Sequence, residues 1–282
     1  MGRRFRVSVP AASMADGFPI DDVAARFVRA RRSATALTDY PGPVPSDLAT
    51  GYRVQDAALK LWPDDVIGWK VGRVPAEHEE RLKSNRICGP VFAKSLWHVK
   101  PGDVTPFPVF EGGFAAVEAE YVARIAFDAP ADKLTWTTQD AAELIGALHI
   151  GMEPAGSPLA SINILGPTVV VSDFGNNAGL MVGAEIDDWR GRRIEDLRCE
   201  TVVDGQVMGQ GGAFVLPGGP VESIRFLAEN TARRGRPLRA GMYICTGAAA
   251  GIHDILVGQN GAVRFDGYGE IACRAYRAQP AD

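Results

Sequence analysis

The chain has 282 residues, 46% hydrophobic and 23% charged, and its 30 Lys and Arg against 34 Asp and Glu give a net charge of −4. That length suits one large domain or two unequal ones, and the composition is that of a globular protein. No window offers the ~18 uninterrupted apolar residues of a membrane helix, and the slight acidity gives no footprint for a nucleic-acid backbone, so neither a membrane nor a nucleic acid is an expected partner.

The opening MGRRFRVSVPAAS sets paired arginines before a short apolar run that contains Pro10 and stops at Asp16-Gly17. It is too short for the apolar core of an export signal, so the expectation is either that residues 1–17 are disordered or that the true start is Met14. From Ile20 to Ala34, Val23, Phe27 and Ala30 recur at helical spacing. A second such pattern, Leu48, Tyr52, Gln55 and Leu59, follows the cap candidate Ser46. The stretch TDYPGPVPSD joins them as a rigid connection. From Val66 the character changes. VIGWKVG, VEAEYVARIAF, NILGPTVVV, CETVVDGQVMG, MYICTG and HDILVGQNGAVRF read as strands, with hairpin turns expected at Asp204-Gly205 and Asn260-Gly261. Two helices interrupt them: TTQDAAELIGALH, whose Thr137 and Asp140 have capping-box spacing, and GPVESIRFLAENTARRG, with Pro220 near its start and Gly235 after its end. Strands without regular alternation with helices predict the α+β class, with a small helical part over 1–65 on a β-rich domain over 66–282.

Cys88, Cys199, Cys245 and Cys273 lie far apart with no C-x-x-C, so neither a zinc site nor a disulfide framework is suggested, and a reducing cytoplasm is the expected compartment. The informative segment runs from Val117 to Ile125. On a strand, Glu118 and Glu120 point to one face, ~6.6 Å apart along the chain. They form either a solvent-facing polar stripe or, among apolar neighbours, a site for a hard divalent cation. Glu153 adds a third acid, at the expected junction of a helix and an extended segment. Lys70 falls mid-strand among residues patterned for burial, so it either snorkels outward or is functional. Thr246-Gly247-Ala248 ends a strand with small residues, either a plain tight turn or a place where backbone amides approach an anion. His78 lies in a charged segment that fits an exposed helix, and His149 reads as structural.

Taken in order, GYRVQ from Gly51, GWKVG from Gly68, VEAEYVARI, the lone Glu153, SDFGNNAGLMVG and the long segment from GPVESIRF to YICTGA resemble the 2-keto-4-pentenoate hydratases. With related 2-oxo-acid decarboxylases, these belong to the fumarylacetoacetate hydrolase superfamily, and the likeness spans about residues 20–273. The resemblance implies a mixed β-roll catalytic domain, a homo-oligomer often built from five-membered rings, and a magnesium or manganese ion held by Glu118, Glu120 and Glu153. It implies a catalytic Lys70, assisted by Asp173. It also implies a small 2-oxo acid as substrate, bound on the side carrying Asn176, Thr246 and Gly247, and a hydro-lyase acting on an unsaturated 2-oxo acid in aromatic catabolism. The alternatives are a decarboxylase of a 2-oxo diacid of the 4-oxalocrotonate type, an acylpyruvate hydrolase using His78, or a partner subunit without activity. Where hydratases of the family read D-N-A-S-S, this chain has Asp173, Phe174, Gly175, Asn176 and Asn177; where they read T-G-S it has Thr246, Gly247 and Ala248. Arg73 and Arg86 are candidates for a second carboxylate on the substrate, since guanidinium pairs bidentately with carboxylate.

Overall fold

The computed structural model describes residues 17–281. The expected disordered start, apart from Gly17, lies outside them. Helix α1 (Ile20–Arg32) buries Val23, Ala24, Phe27 and Val28 on one stripe. Asp21 and Asp22 in its first turn and Arg29, Arg31 and Arg32 in its last complement the helix dipole. It packs against α2 (Leu48–Leu61). Asp47, not Ser46, caps α2, accepting the Thr50 amide at 2.7 Å. The chain then enters β1 (Val66–Arg73), crosses the short helix α3 (Ala76–Leu82), and returns antiparallel as β2 (Arg86–Phe92). Strands β3 (Leu96–His98) and β4 (Val104–Val109) lead to the long β5 (Phe114–Ile125).

The expected capping box forms: the Thr137 side chain accepts the Asp140 amide and the Asp140 side chain accepts the Thr137 amide, starting α4 (Thr138–Leu144). The helix stops earlier than its periodicity predicts. Ile145 to His149, expected to be helical, open β6 (Ile145–Ser157), because pairing with β5 along its whole length outweighs local propensity. A second correction concerns Asn163 to Val171. Its β-branched run reads as a strand, yet it forms two short helices, α5 (Ile162–Leu165) and α6 (Pro167–Ser172), with Gly166 at φ +96° and Pro167 starting the second. After β7 (Leu180–Glu185), β8 (Arg198–Val203) and β9 (Gln206–Gly212) form the hairpin expected at Asp204-Gly205, both residues having positive φ. Helix α7 (Gly219–Arg233) follows, then β10 (Tyr243–Asp254), β11 (Asn260–Phe265) and β12 (Gly269–Arg277). Asn260-Gly261 is not a turn: the two residues pair with Arg274 and Cys273 in β11–β12, and the chain reverses earlier, where the Gln259 amide bonds the Leu256 carbonyl.

The architecture is α+β, as expected. One mixed sheet runs β2-β1-β10-β5-β6-β7-β3 and a second runs β4-β12-β11-β8-β9. A continuous core joins them: Val117, Ala119 and Tyr121 of β5 share it with Val263 and Phe265 of β11, and the Tyr121 and Phe265 rings meet edge-on at 5.4 Å. Alternation along β5 therefore turns Glu118 and Glu120 to the other face of the large sheet, where α6 and the Phe174–Asn176 turn lie. Gly89 lets that turn approach, since a Cβ there would sit 2.0 Å from the Phe174 carbonyl oxygen. No described helix is long and apolar enough to cross a membrane.

Candidate metal and active site

Four adjacent strands, β1, β10, β5 and β6, carry the polar centre. Antiparallel register sets Glu118 opposite Glu153 and Glu120 opposite Gly151, while parallel pairing sets Lys70 beside Cys245. All three carboxylates are buried, as is Lys70. The Lys70 ammonium lies 3.4 Å from Glu153 Oε1 and donates to Asn176 Oδ1 at 3.1 Å. Asn177 Nδ2 donates to Glu153 Oε1 at 2.9 Å, and the Gly247 amide donates to Glu120 Oε2 at 2.8 Å. One oxygen of each acid, Glu118 Oε1, Glu120 Oε1 and Glu153 Oε2, is buried with no partner among the described residues.

Leaving a buried carboxylate oxygen unpartnered is costly, and three in one place have a common explanation. Three carboxylates against one ammonium leave two negative charges, the complement of a divalent cation, and an all-oxygen set suits magnesium or manganese. These residues therefore fit the metal. Without it, burial and then the neighbouring Glu153 push the Glu118 carboxyl up to about 8, against the pull of Lys70. Burial, followed by Glu153 and Glu118, raises Glu120 still further. Burial pulls the Lys70 ammonium down, but Glu153, Glu118 and Glu120 outweigh it and hold its pKa above the usual lysine value.

A cavity of about 690 Å³ opens over this cluster, with Lys70, Glu118, Asn176, Thr246, Gly247 and Arg73 on its wall. Glu120 and Glu153 lie outside that wall, fully buried. Two substrate-side candidates are already committed to the fold. The Thr246 hydroxyl donates to the Tyr121 carbonyl, and the Gly247 amide holds Glu120 instead of standing free for an anion. The Arg73 side chain is exposed at the wall and makes no hydrogen bond or ion pair among the described residues. Arg86, also on the wall, is buried and donates to the Pro217 carbonyl and to Asn85 Oδ1.

Asp173 is not on the wall. It forms a buried ion pair with Arg31, whose Nε and Nη2 reach its two oxygens at 2.5 and 3.0 Å, and it accepts the Ser157 hydroxyl at 2.6 Å. Glu153 is mid-strand, not at a helix end, and so is His149, whose Nδ1 lies 3.3 Å from the Gly183 carbonyl. His78 is half-buried on α3 near Gly166, itself on the cavity wall.

Sequence reasoning passes over three residues here. Arg31 continues the Val23, Phe27 stripe of α1 at the next four-residue step, and an arginine on an apolar stripe was the available signal. Asn177 and Cys245 carried none: one acts through a turn, the other only through strand register.

No family model matches the chain. It is 25% identical over 272 residues to a 2-keto-4-pentenoate hydratase of Burkholderia vietnamiensis, an alignment covering 92% of this chain and 98% of that protein. The chain is similar in sequence to this hydratase over nearly its whole length. Among solved structures, 4-oxalocrotonate decarboxylase from Pseudomonas putida G7, complexed with magnesium and adipate, superposes with a TM-score of 0.74 at 19% identity, over 91% of this chain and 97% of that one. Fumarylpyruvate hydrolase from Pseudomonas aeruginosa, in complex with Mn2+ and pyruvate, reaches 0.56 at 18% identity, covering 74% and 88%. These likenesses in structure establish the fumarylacetoacetate hydrolase type of fold.

Proposed function

We propose that the chain is a divalent-metal-dependent hydro-lyase that adds water to an unsaturated 2-oxo acid of the 2-hydroxypenta-2,4-dienoate type. The observation that carries the reading is the set of three partnerless buried carboxylate oxygens beside Lys70 at the cavity. The relation to the hydratases over nearly the whole chain supports it, as do the magnesium and Mn2+ in the two solved neighbours. Glu118, Glu120 and Glu153 would hold the ion, which when bound would offer open positions to the carboxylate and keto oxygens of a 2-oxo acid and draw electron density from the keto group.

The remaining work falls to the protein's own groups. Asn176 aims the Lys70 ammonium, and Lys70 Nζ delivers a proton to the terminal alkene carbon of the dienol as the enol oxygen releases its own to solvent water, from which the lysine is reprotonated. The product of that step is a conjugated enone, to which water adds. Val71, Ile87 and Val170 on the wall limit the number of waters that compete. Asp173, tied to Arg31 and Ser157, positions the Asn176–Asn177 turn and does not relay protons. Removing the ion with a chelator should abolish turnover of 2-hydroxypenta-2,4-dienoate, and magnesium or manganese should restore it; full activity after exhaustive chelation refutes the site.

A second reading, decarboxylation of a 2-oxo diacid, is favoured by one feature. Arg73 and Arg86 both stand on the wall, and no ion pair occupies either among the described residues. A distal carboxylate could satisfy them. Comparing kcat/KM for mono- and diacid substrates separates the two readings.

A further inference from the structure

Cys245 adds a donor that the carboxylates alone do not explain. Its Sγ and one carboxylate oxygen from each of Glu120 and Glu153 lie within 4.8 Å of one another, and all three residues are fully buried. The thiol makes no hydrogen bond among the described residues, and Glu120 Oε1 and Glu153 Oε2 are buried there without a partner. Cys88, Cys199 and Cys273 belong to no such group among the described residues. Bonds of roughly 2.3 Å to sulfur and 2.1 Å to oxygen would be completed by side-chain movements of about an ångström. Glu118 is the acid that faces the cavity, so a set made of Glu120, Glu153 and Cys245 lies deeper than one that includes Glu118.

Resting on the metal reading above, we propose that Cys245 is a conditional ligand. Magnesium or manganese is held by the three carboxylates, whereas a thiophilic divalent ion such as zinc, cobalt or cadmium takes the Cys245 sulfur together with Glu120 and Glu153. The preference follows from ligand softness: magnesium gains little from a thiolate, while cobalt, zinc and cadmium gain much. As the sulfur–metal bond forms, the thiol proton leaves to solvent, and no oxidation is involved. An ion drawn to the deeper set moves away from Glu118 and the cavity, so thiophilic ions compete with magnesium and inhibit.

The test is a cobalt(II) titration of the metal-free full chain, read by absorbance. Sulfur-to-cobalt charge transfer should appear in the near ultraviolet, saturate at one ion per chain, and vanish in Cys245→Ser. Cadmium affinity should fall at least about tenfold in that variant, a difference of ~1.4 kcal/mol. Magnesium affinity, from the thermal shift, should change less than about twofold. Cys245→Ala serves as a second variant, because it removes the sulfur without introducing a hydroxyl that could itself bind the ion. Cobalt binding without the band, or a band that persists in both variants, overturns the thiol's role while leaving the carboxylate site standing. If neither magnesium nor cobalt binds, the metal site itself is wrong and the thiol ligand falls with it.

Discussion

The Arg31–Asp173 pair decides whether Asp173 is chemistry or scaffold. Arg31 reaches across from α1 to the Asp173 carboxylate and to the carbonyls of Gly156 and Asn177, and both members of the pair are almost fully excluded from solvent. Removing one partner of such a pair leaves a buried charge uncompensated, which costs about 3–5 kcal/mol. Arg31→Met and Asp173→Asn should therefore each lose that much stability. With a urea slope of roughly 2–3 kcal/mol/M, the unfolding midpoint should fall by about 1–2.5 M. The double variant should recover a substantial part, because it removes the orphaned charge along with its partner. The assay is equilibrium urea unfolding of all four proteins, paired with turnover measured where each is folded. Asp173→Asn should keep its turnover within a few-fold. A stability change under about 1 kcal/mol together with a ~10²-fold loss of turnover would refute the scaffold role and return Asp173 to proton transfer.

Lys70→Met should fold and bind magnesium, yet slow both turnover and deuterium exchange at the substrate's carbon by at least about 10²; exchange at the parental rate would remove Lys70 from the carbon proton transfer. The metal-free protein should show a pH dependence set by Glu118. Because the fold raises this carboxyl to about 8, its favourable contribution is complete below the unfolded value near 4.5 and is lost as pH rises through 8. The melting temperature of the metal-free parent should thus fall relative to Glu118→Gln over that window, and the protection given by magnesium should grow over the same window; parallel curves would refute the burial argument. His78→Ala should leave hydration within a few-fold, whereas a loss of about 10²–10⁴ on an acylpyruvate would mark a hydrolase using His78 as base.

Much of the fold was legible where local and tertiary preferences agree. The α4 capping box, the Asp204-Gly205 turn and Pro220 at the head of α7 all state in the sequence what the backbone does. Asn163 to Val171 reads as a strand yet folds as two short helices, and two other departures fall where long-range pairing overrides local pattern. The Leu144–His149 stretch has helical spacing, but β5 offers a full-length partner that draws it into β6 from Ile145 onward. Asn260-Gly261 has turn chemistry, but β12 and β8 sandwich it in a ladder. For the site, alternation alone puts Glu118 and Glu120 on one face, while the juxtaposition of Glu153 needs the β5–β6 register, which periodicity does not specify. Asn176 entered through resemblance. Its role in aiming Lys70 depends on a turn with positive φ at Phe174, Gly175 and Asn176, which Gly175 and Asn176 hint at in sequence and Phe174 does not.

That turn links the substrate side to the metal side. Phe174 packs edge-on against Phe92 and Trp62, Asn176 accepts Lys70, and the neighbouring Asn177 donates to Glu153. Arg31 fastens the same turn from α1 through the Asn177 carbonyl and Asp173. The helical N-terminal segment therefore bears on the proposed chemistry without touching it: it fixes the two asparagines that hold Lys70 and Glu153, the proton donor and one of the metal ligands in the function proposed above. A divalent ion binding the folded chain but not the unfolded one adds stability by mass action, roughly 2.7 kcal/mol at a hundredfold excess over its dissociation constant. Because that ion also relieves the repulsion among the three buried glutamates, metal binding and the order of this turn should rise and fall together.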